Sequence, residues 1–336
     1  RSALYPIFGE RIWGWPGHII DILAIFATLF GLATSLGYGA EQASGGLNYL
    51  FELPTGDYTN IVLVGIITGL ALISVVRGLD GGIKRLSEIN MVLAVILGLF
   101  VLFMTPVMET LGYFFRYSLA YLEYLPVLSS WSGREDYYFM HDWTTFYWSW
   151  WIAFSPFVGM FIARISTGRT VREFVLGALL APSLIFMLWM TIFGHTAILQ
   201  FFEEDVTAVA ESVRNFQPEL TLFIFLEQFP GSLITSILGL FLVIIFFVTS
   251  MDSGSLVVDT MAAGGKIKTP LFQRIFWCIS LGMIGIALLL GGGLSSVQAL
   301  SLASAFPFTL IIILMTISLL LGLIREHQLL RAEQSG

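Results

Sequence analysis

The sequence predicts an all-α polytopic membrane protein of about eight transmembrane helices. Three observations predict it. Of 336 residues, 57% are hydrophobic and only 12% are charged, whereas a soluble domain carries roughly a quarter charged residues. Eight apolar runs approach or exceed the roughly 20 residues needed to cross a hydrocarbon core. The basic residues alternate between the two sides of those runs. Strands are not expected, because the runs are long and do not alternate, and open sheet edges do not survive in lipid.

The runs cover 18–40, 58–78, 90–110, 141–163, 174–197, 230–252, 272–293 and 298–324. Arg1 and Arg11 precede the first. Arg77, Lys84 and Arg85 lie at the end of the second, and Arg164, Arg169 and Arg172 follow the fourth. Lys266, Lys268 and Arg274 follow the sixth, and Arg325 and Arg331 follow the eighth. Thirteen of the 16 Lys and Arg thus share one side, leaving Arg116, Arg134 and Arg214 on the other. The positive-inside rule then makes both ends of this chain cytoplasmic, with a bacterial inner membrane as the expected location. Segment 112–130, aromatic-rich with Arg116 and Glu123, reads as an amphipathic helix along the outer membrane face. Glu203, Glu204, Asp205, Glu211, Glu219 and Glu227 read as a solvated outer loop. No linker divides the chain, so it is expected to be one membrane domain ending in a short cytoplasmic tail, 326–336. The single cysteine, Cys278, excludes an intramolecular disulfide and reads as a buried small hydrophobe.

The densest chemical signal is DWTTFYWSWWIAFSPFVG, 142–159. At about 100° per residue, Phe146, Trp150, Phe154 and Trp151 fall near 0°, 40°, 80° and 140°. Two arrangements fit. Trp143, Tyr147 and Trp148 suit an interfacial anchoring belt. The whole group also suits a cage for a fully methylated ammonium, which has no N–H to donate and is held by ring faces at about 0.5–2 kcal/mol each. Trp150, Trp151 and Phe154 lie one to two turns deeper than a belt extends, which favours the cage, with Trp143 and Tyr147 as secondary members. Pro156 removes the backbone hydrogen bond to the carbonyl of Ile152. That carbonyl needs another partner, and the helix is expected to be either kinked or interrupted there.

Four stretches carry a resemblance: FYWSWWIAFSPFVGMFIARISTGRTVREF (146–174), FFVTSMDSGSLVVDTMAAGG (246–265), IIDILAIFATLFGLATSLGYGAEQASGGLNYLF (19–51) and GLDGGIKRLSEINMVLA (78–94). Together they resemble the betaine/carnitine/choline transporter family over nearly the whole chain. The resemblance implies a fold of two five-helix inverted repeats after two leading helices. The first match falls on the family's fifth span. The expectation is therefore that four family helices lie outside this sequence, with 1–111 holding the last three helices of the first repeat and 141–325 the second repeat. It also implies that Phe146, Trp150, Trp151 and Phe154 form one half of an aromatic site for a quaternary-ammonium or sulfonium head. These residues alone would then not transport. Phe154 departs from the family pattern, where Trp is frequent, and offers a smaller π face. For the coupling ion, sodium, the resemblance points to Thr249 and Ser250 with Phe246. The plain reading of such hydroxyls is bonding back to the preceding helical turn. A homotrimer is a further implication of the family, and the basic loop Arg164–Arg172 can pair with the phosphates of membrane lipids.

The expected function is secondary active import of a compatible solute such as glycine betaine, choline or carnitine, driven by sodium. A proton-coupled or exchange transporter of the same solutes, and a membrane sensor that binds without turnover, also fit the sequence. Asp252, Asp21 and Glu41 are ionisable groups at or near spans. A phosphate-cradling Gly-rich loop with Lys-Ser/Thr is absent from the sequence, as are histidines at metal-ligand spacing and an assignable Ser-His-Asp grouping. An enzyme, a resident cofactor and a nucleic-acid partner are therefore not expected. His195, inside the fifth run, reads as a structural histidine.

Overall fold

The computed structural model of the protein describes residues 1–77, 83–203, 205–215, 217–266 and 268–335. Part of the 78–94 motif, residues 78–82, and Glu204 of the acidic loop lie outside the described residues. Three short helical turns, the second of them α1 (Tyr5–Phe8), lead into α2 (Trp15–Phe51). Then come α3 (Asp57–Arg77), α4 (Ile83–Phe103), α5 (Val107–Ser129) and α6 (Phe146–Ile165). The chain continues through α7 (Val171–Met190), α8 (Thr196–Phe202), α9 (Ala208–Arg214), α10 (Pro218–Glu227), α11 (Ser232–Ala262) and α12 (Leu271–Ser335). Wide π-helical turns, Phe139–Thr145 and Thr191–His195, lead into α6 and join α7 to α8.

Among the described residues, seven helices are long and apolar enough to cross a membrane. The seventh, Leu271–Ala332, is two arms. Gly292 and Gly293 have non-helical backbone angles, Gly293 at φ +65°, a conformation that glycine adopts without a Cβ clash. The packing shows that the chain turns back there. Gly285 lies against Leu36 of α2. Twelve residues later, Val297 lies against Gly37 and its carbonyl accepts the Thr34 hydroxyl at 3.2 Å. A straight helix would separate those two positions by roughly 18 Å, yet both meet the same turn of α2. The two arms match the seventh and eighth apolar runs.

α2 is the axis of the bundle. It touches α3, α6, α10, α11 and both arms of α12. It has 37 residues against the 23 expected from hydropathy. The reason is burial. Ala43, Ser44, Gly45 and Gly46 are buried, and α10 covers this end, so Glu41, Gln42 and Asn48 do not terminate the helix. It stops at Glu52, in the left-handed region, whose N–H donates to the Asn48 carbonyl at 2.8 Å. Small residues bring the neighbours close. A Cβ on Gly39 would stand 2.2 Å from the Phe247 ring of α11, and one on Gly46 2.3 Å from the Phe223 ring of α10. Close approach of this kind is the main source of helix association where the solvent is itself apolar.

Three sequence expectations change in detail. The third span ends at Phe103, seven residues before the expected 110, because the chain turns at 104–106 before Pro106 opens the next helix. The segment expected at 112–130 is α5, starting at Val107. The acidic loop is not uniformly solvated: Phe223, Phe225 and Leu226 of α10 are buried, and the Tyr49 ring stacks on Phe223 at 6.0 Å. Cys278 is fully buried.

Gly39 and Gly65 make a matched test. Nothing lies within 4 Å of a Cβ added at Gly65. Gly39→Ala should cost about 1–3 kcal/mol by overpacking against Phe247, outweighing the ~1 kcal/mol helix-propensity gain that Gly65→Ala keeps. Thermal unfolding in detergent should lower the midpoint for G39A and hold or raise it for G65A. Equal midpoints would show that the approach of α2 to α11 is soft.

Candidate functional site

The aromatic run forms a site because α6 presents it to the small-residue face of α2. One turn separates Phe146 from Trp150, and the next turn brings Phe154. Gly31 of α2 meets this helix at Ala153 and Phe154, where an added Cβ would be 3.1 Å from the Phe154 ring. The absent side chain leaves the Gly31 carbonyl accessible, and the Trp150 indole N–H donates to it at 3.1 Å. Trp150 is thereby fixed in orientation as well as in depth.

Around Trp150 the rings form a compact group. Phe146, buried, stacks on Trp150 at 5.6 Å between centroids. Tyr147 lies 5.7 Å from Trp150, tilted by 53°. Phe154 stands edge-on to Trp150 at 6.4 Å and packs against the core. Trp143 stacks on Tyr147 at 5.7 Å and is 50% exposed, at the margin of the group. Tyr38 of α2 completes it, 5.7 Å from Trp150 and 6.0 Å from Phe146. Sequence reasoning missed Tyr38, which stands 108 positions before Phe146; its signal was a lone aromatic in the glycine-rich stretch SLGYGA.

Trp151 does not join this group. It is 56% exposed and sets its edge against Phe186 of α7 at 6.4 Å. The reason is angular: Trp151 is about 140° from Phe146 around the helix, too far for both to face α2. The nearest ring centroids are under 6 Å apart, so the rings touch one another and make a surface, not an open box.

The Pro156 question has a local answer. α6 continues unbroken to Ile165, and the Ser155 hydroxyl donates to the Ile152 carbonyl at 2.7 Å. The residue beside the proline supplies the hydrogen bond that the proline removes. The basic loop that follows is a helix start. Thr170 and Glu173 form a reciprocal capping box on α7, with Glu173 N–H to Thr170 Oγ1 at 3.3 Å and Thr170 N–H to the Glu173 carboxylate at 2.9 Å.

On α11, the Thr249 hydroxyl donates to the carbonyls of Ile245 and Phe246, both at 3.0 Å. That is the back-bonding geometry of a threonine in a helix, and it leaves the hydroxyl lone pairs as acceptors. Ser250 is half-buried, and the Phe246 side chain is 49% exposed. Asp252 is buried. His195 is buried in the second π-helical turn, with Nδ1 2.8 Å from the Tyr117 hydroxyl of α5, so it ties that helix to the bundle.

The long apolar helices among the described residues are those of a multi-pass membrane protein, and comparison with known proteins gives the family. The family model for BCCT, betaine/carnitine/choline family transporter, matches residues 1–328. A glycine betaine/proline/choline transporter of Vibrio parahaemolyticus is 54% identical over 329 residues, 98% of this chain and 59% of that protein. A glycine betaine transporter of Acinetobacter baylyi is 39% identical over 347 residues, 100% of this chain and 51% of that one. Glycine betaine transporter OpuD of Bacillus subtilis is 39% identical over 330 residues, 97% of this chain and 64% of that one. The chain belongs to the betaine/carnitine/choline transporter family, whose members are transporters and not enzymes. It spans between half and two thirds of the length of these relatives.

Ser155→Ala should leave the Ile152 carbonyl without its donor and lower stability by about 1–3 kcal/mol. In the double variant Ser155→Ala/Pro156→Ala, the new backbone N–H at 156 restores the helical bond, and most of that loss should disappear. Thermal unfolding of the two variants, with Pro156→Ala as reference, checks this. An additive double variant would contradict the exchange of donors.

Proposed function

We propose that this chain is the part of a secondary active transporter that receives the methylated cationic head of a compatible solute, with glycine betaine and choline as the leading candidates. The observation that carries the reading is the ring group of Phe146, Trp150 and Tyr147, with Phe154 behind them, held against α2 by the Trp150–Gly31 hydrogen bond. Such a surface offers π faces and few hydrogen-bond donors, which suits a cation that cannot donate. Three similar proteins bear names that include glycine betaine, which supports the same solute class.

Phe146 and Trp150 contact the head, Phe154 closes the deep side, and Tyr147 and Trp143 flank the approach. Trp151, turned toward α7, takes no part in this surface. Sodium is the coupling ion of the proposal. Thr249 and Ser250 hydroxyl oxygens and the Phe246 carbonyl are neutral oxygen donors of the kind a hard monovalent cation takes. The proposed location is a bacterial inner membrane, in keeping with the bacterial relatives, and the distribution of Lys and Arg supports an orientation with both ends of this chain cytoplasmic. The second half of the solute site is expected from helices that longer relatives possess.

The test is uptake of radiolabelled betaine and choline in cells lacking their own systems. This chain is compared with a chimera carrying the N-terminal helices of the Vibrio relative ahead of Arg1. Sodium-dependent uptake by the chimera alone is expected, and Trp150→Leu in the chimera should reduce solute affinity by roughly 2- to 30-fold. Uptake by the 336-residue chain itself would place both halves of the site within it. An active chimera whose affinity ignores Trp150 would remove the aromatic surface from the solute path.

A further inference from the structure

The geometry points to Tyr38 as a third wall of the cation surface, which Gln298 of the returning arm of α12 holds in place and which discriminates charged from uncharged head groups. This inference rests on the aromatic-site reading above and adds a residue, and a role, on a different helix.

Three observations carry it. The first is the arrangement of the rings. Tyr38, Trp150 and Phe146 form a nearly equilateral triangle, with centroids 5.7, 5.6 and 6.0 Å apart. A cation resting in van der Waals contact above the middle of that triangle lies within the roughly 6 Å cation–π range of all three centroids. The second observation is fixation of the ring. The Gln298 side-chain amide donates to the Tyr38 hydroxyl oxygen. One turn earlier on α2, the Thr34 hydroxyl, which donates to the Phe30 carbonyl of its own helix at 2.8 Å, is shared with the carbonyl of Val297, the residue before Gln298, at 3.2 Å. Two consecutive residues of the returning arm therefore clamp two consecutive turns of α2. The third is placement. Tyr38 and Gly31, seven residues apart, lie on one face of α2. The same two turns of that helix thus orient Trp150 through its indole N–H and meet its ring.

The hydroxyl and the ring have separate duties. The ring contributes π electron density to a cation. The hydroxyl oxygen, accepting from the Gln298 amide, fixes the ring. A phenylalanine at this position keeps the first duty and loses the second. A leucine keeps comparable bulk and loses both. An effect of the ring on a cation should be absent for a neutral molecule of the same shape, whereas a purely structural role of Tyr38 would affect both molecules alike.

The experiment is a ligand-observed saturation-transfer titration, in detergent, of the purified chimera that carries the N-terminal helices of the Vibrio relative ahead of Arg1, the unmutated chimera serving as wild type. The probes are choline and its uncharged isostere 3,3-dimethylbutan-1-ol. The wild-type protein is expected to bind choline more tightly than the isostere. Tyr38→Leu should weaken choline by roughly 2- to 30-fold and leave the isostere unchanged. Tyr38→Phe should retain the preference for choline. Tyr38→Met serves the same comparison should the leucine variant not fold. Trp150→Leu is the reference that separates the two readings. If Trp150→Leu abolishes the preference and Tyr38→Leu keeps it, Tyr38 is only a packing residue and this inference is overturned. If the wild-type protein shows no preference, the aromatic-site reading itself fails, and the role of Tyr38 fails with it.

Discussion

The rest of the structure depends on the small-residue face of α2. In a bilayer, helices gain little from hiding apolar side chains, so association depends on how closely the backbones approach and on the hydrogen bonds they share. α2 meets α3, α6, α10, α11 and α12. Gly31, Gly39 and Gly46 face a ring at three of these approaches: Phe154 on α6, Phe247 on α11 and Phe223 on α10. Large aromatic rings on the neighbours fill what the glycines leave. A side chain on α2 would push these helices outward, and the ring group on α6 would lose both its depth and its hydrogen bond to Gly31.

The same constraint explains how a run of heavy aromatic residues becomes a defined surface. Trp150 would otherwise have several rotamers to choose from. Its indole N–H has a buried polar group to satisfy, and the Gly31 carbonyl is within reach only because no side chain covers it. Proline at 156 threatens the same helix, yet α6 runs on because Ser155 supplies the lost donor locally. Sequence, local hydrogen bonding and packing thus agree at this helix, and the outcome is a rigid platform six residues before a proline that does not break it.

Much of this was legible in the sequence, for identifiable reasons. The crossings were readable because hydropathy and basic residues report independently on the same boundaries. The ring group was readable where its members share one helix face: Phe146, Trp150 and Phe154 advance by four residues each. Trp151 broke that spacing, and the structure turns it toward Phe186. The true end of α2 was hidden because Glu41, Gln42 and Asn48 look like a boundary unless α10 is known to cover them. Tyr38 was hidden because a contact between residues more than 100 apart leaves no local period. Thr249 shows another limit: residue type told of a hydroxyl at depth, whereas its hydrogen bonds to Ile245 and Phe246 are a matter of geometry.

The central claim is that α2 and α6 together build the surface on which a methylated cation rests. Its most direct test is a structure of the protein with arsenocholine, in which the arsenic atom reports the head-group position by anomalous scattering. The account predicts a single strong arsenic peak over the triangle of Phe146, Trp150 and Tyr38, within roughly 6 Å of each ring centroid. A peak beside Trp151 and Phe186, on the opposite flank of α6, or one remote from α6 altogether, would contradict it.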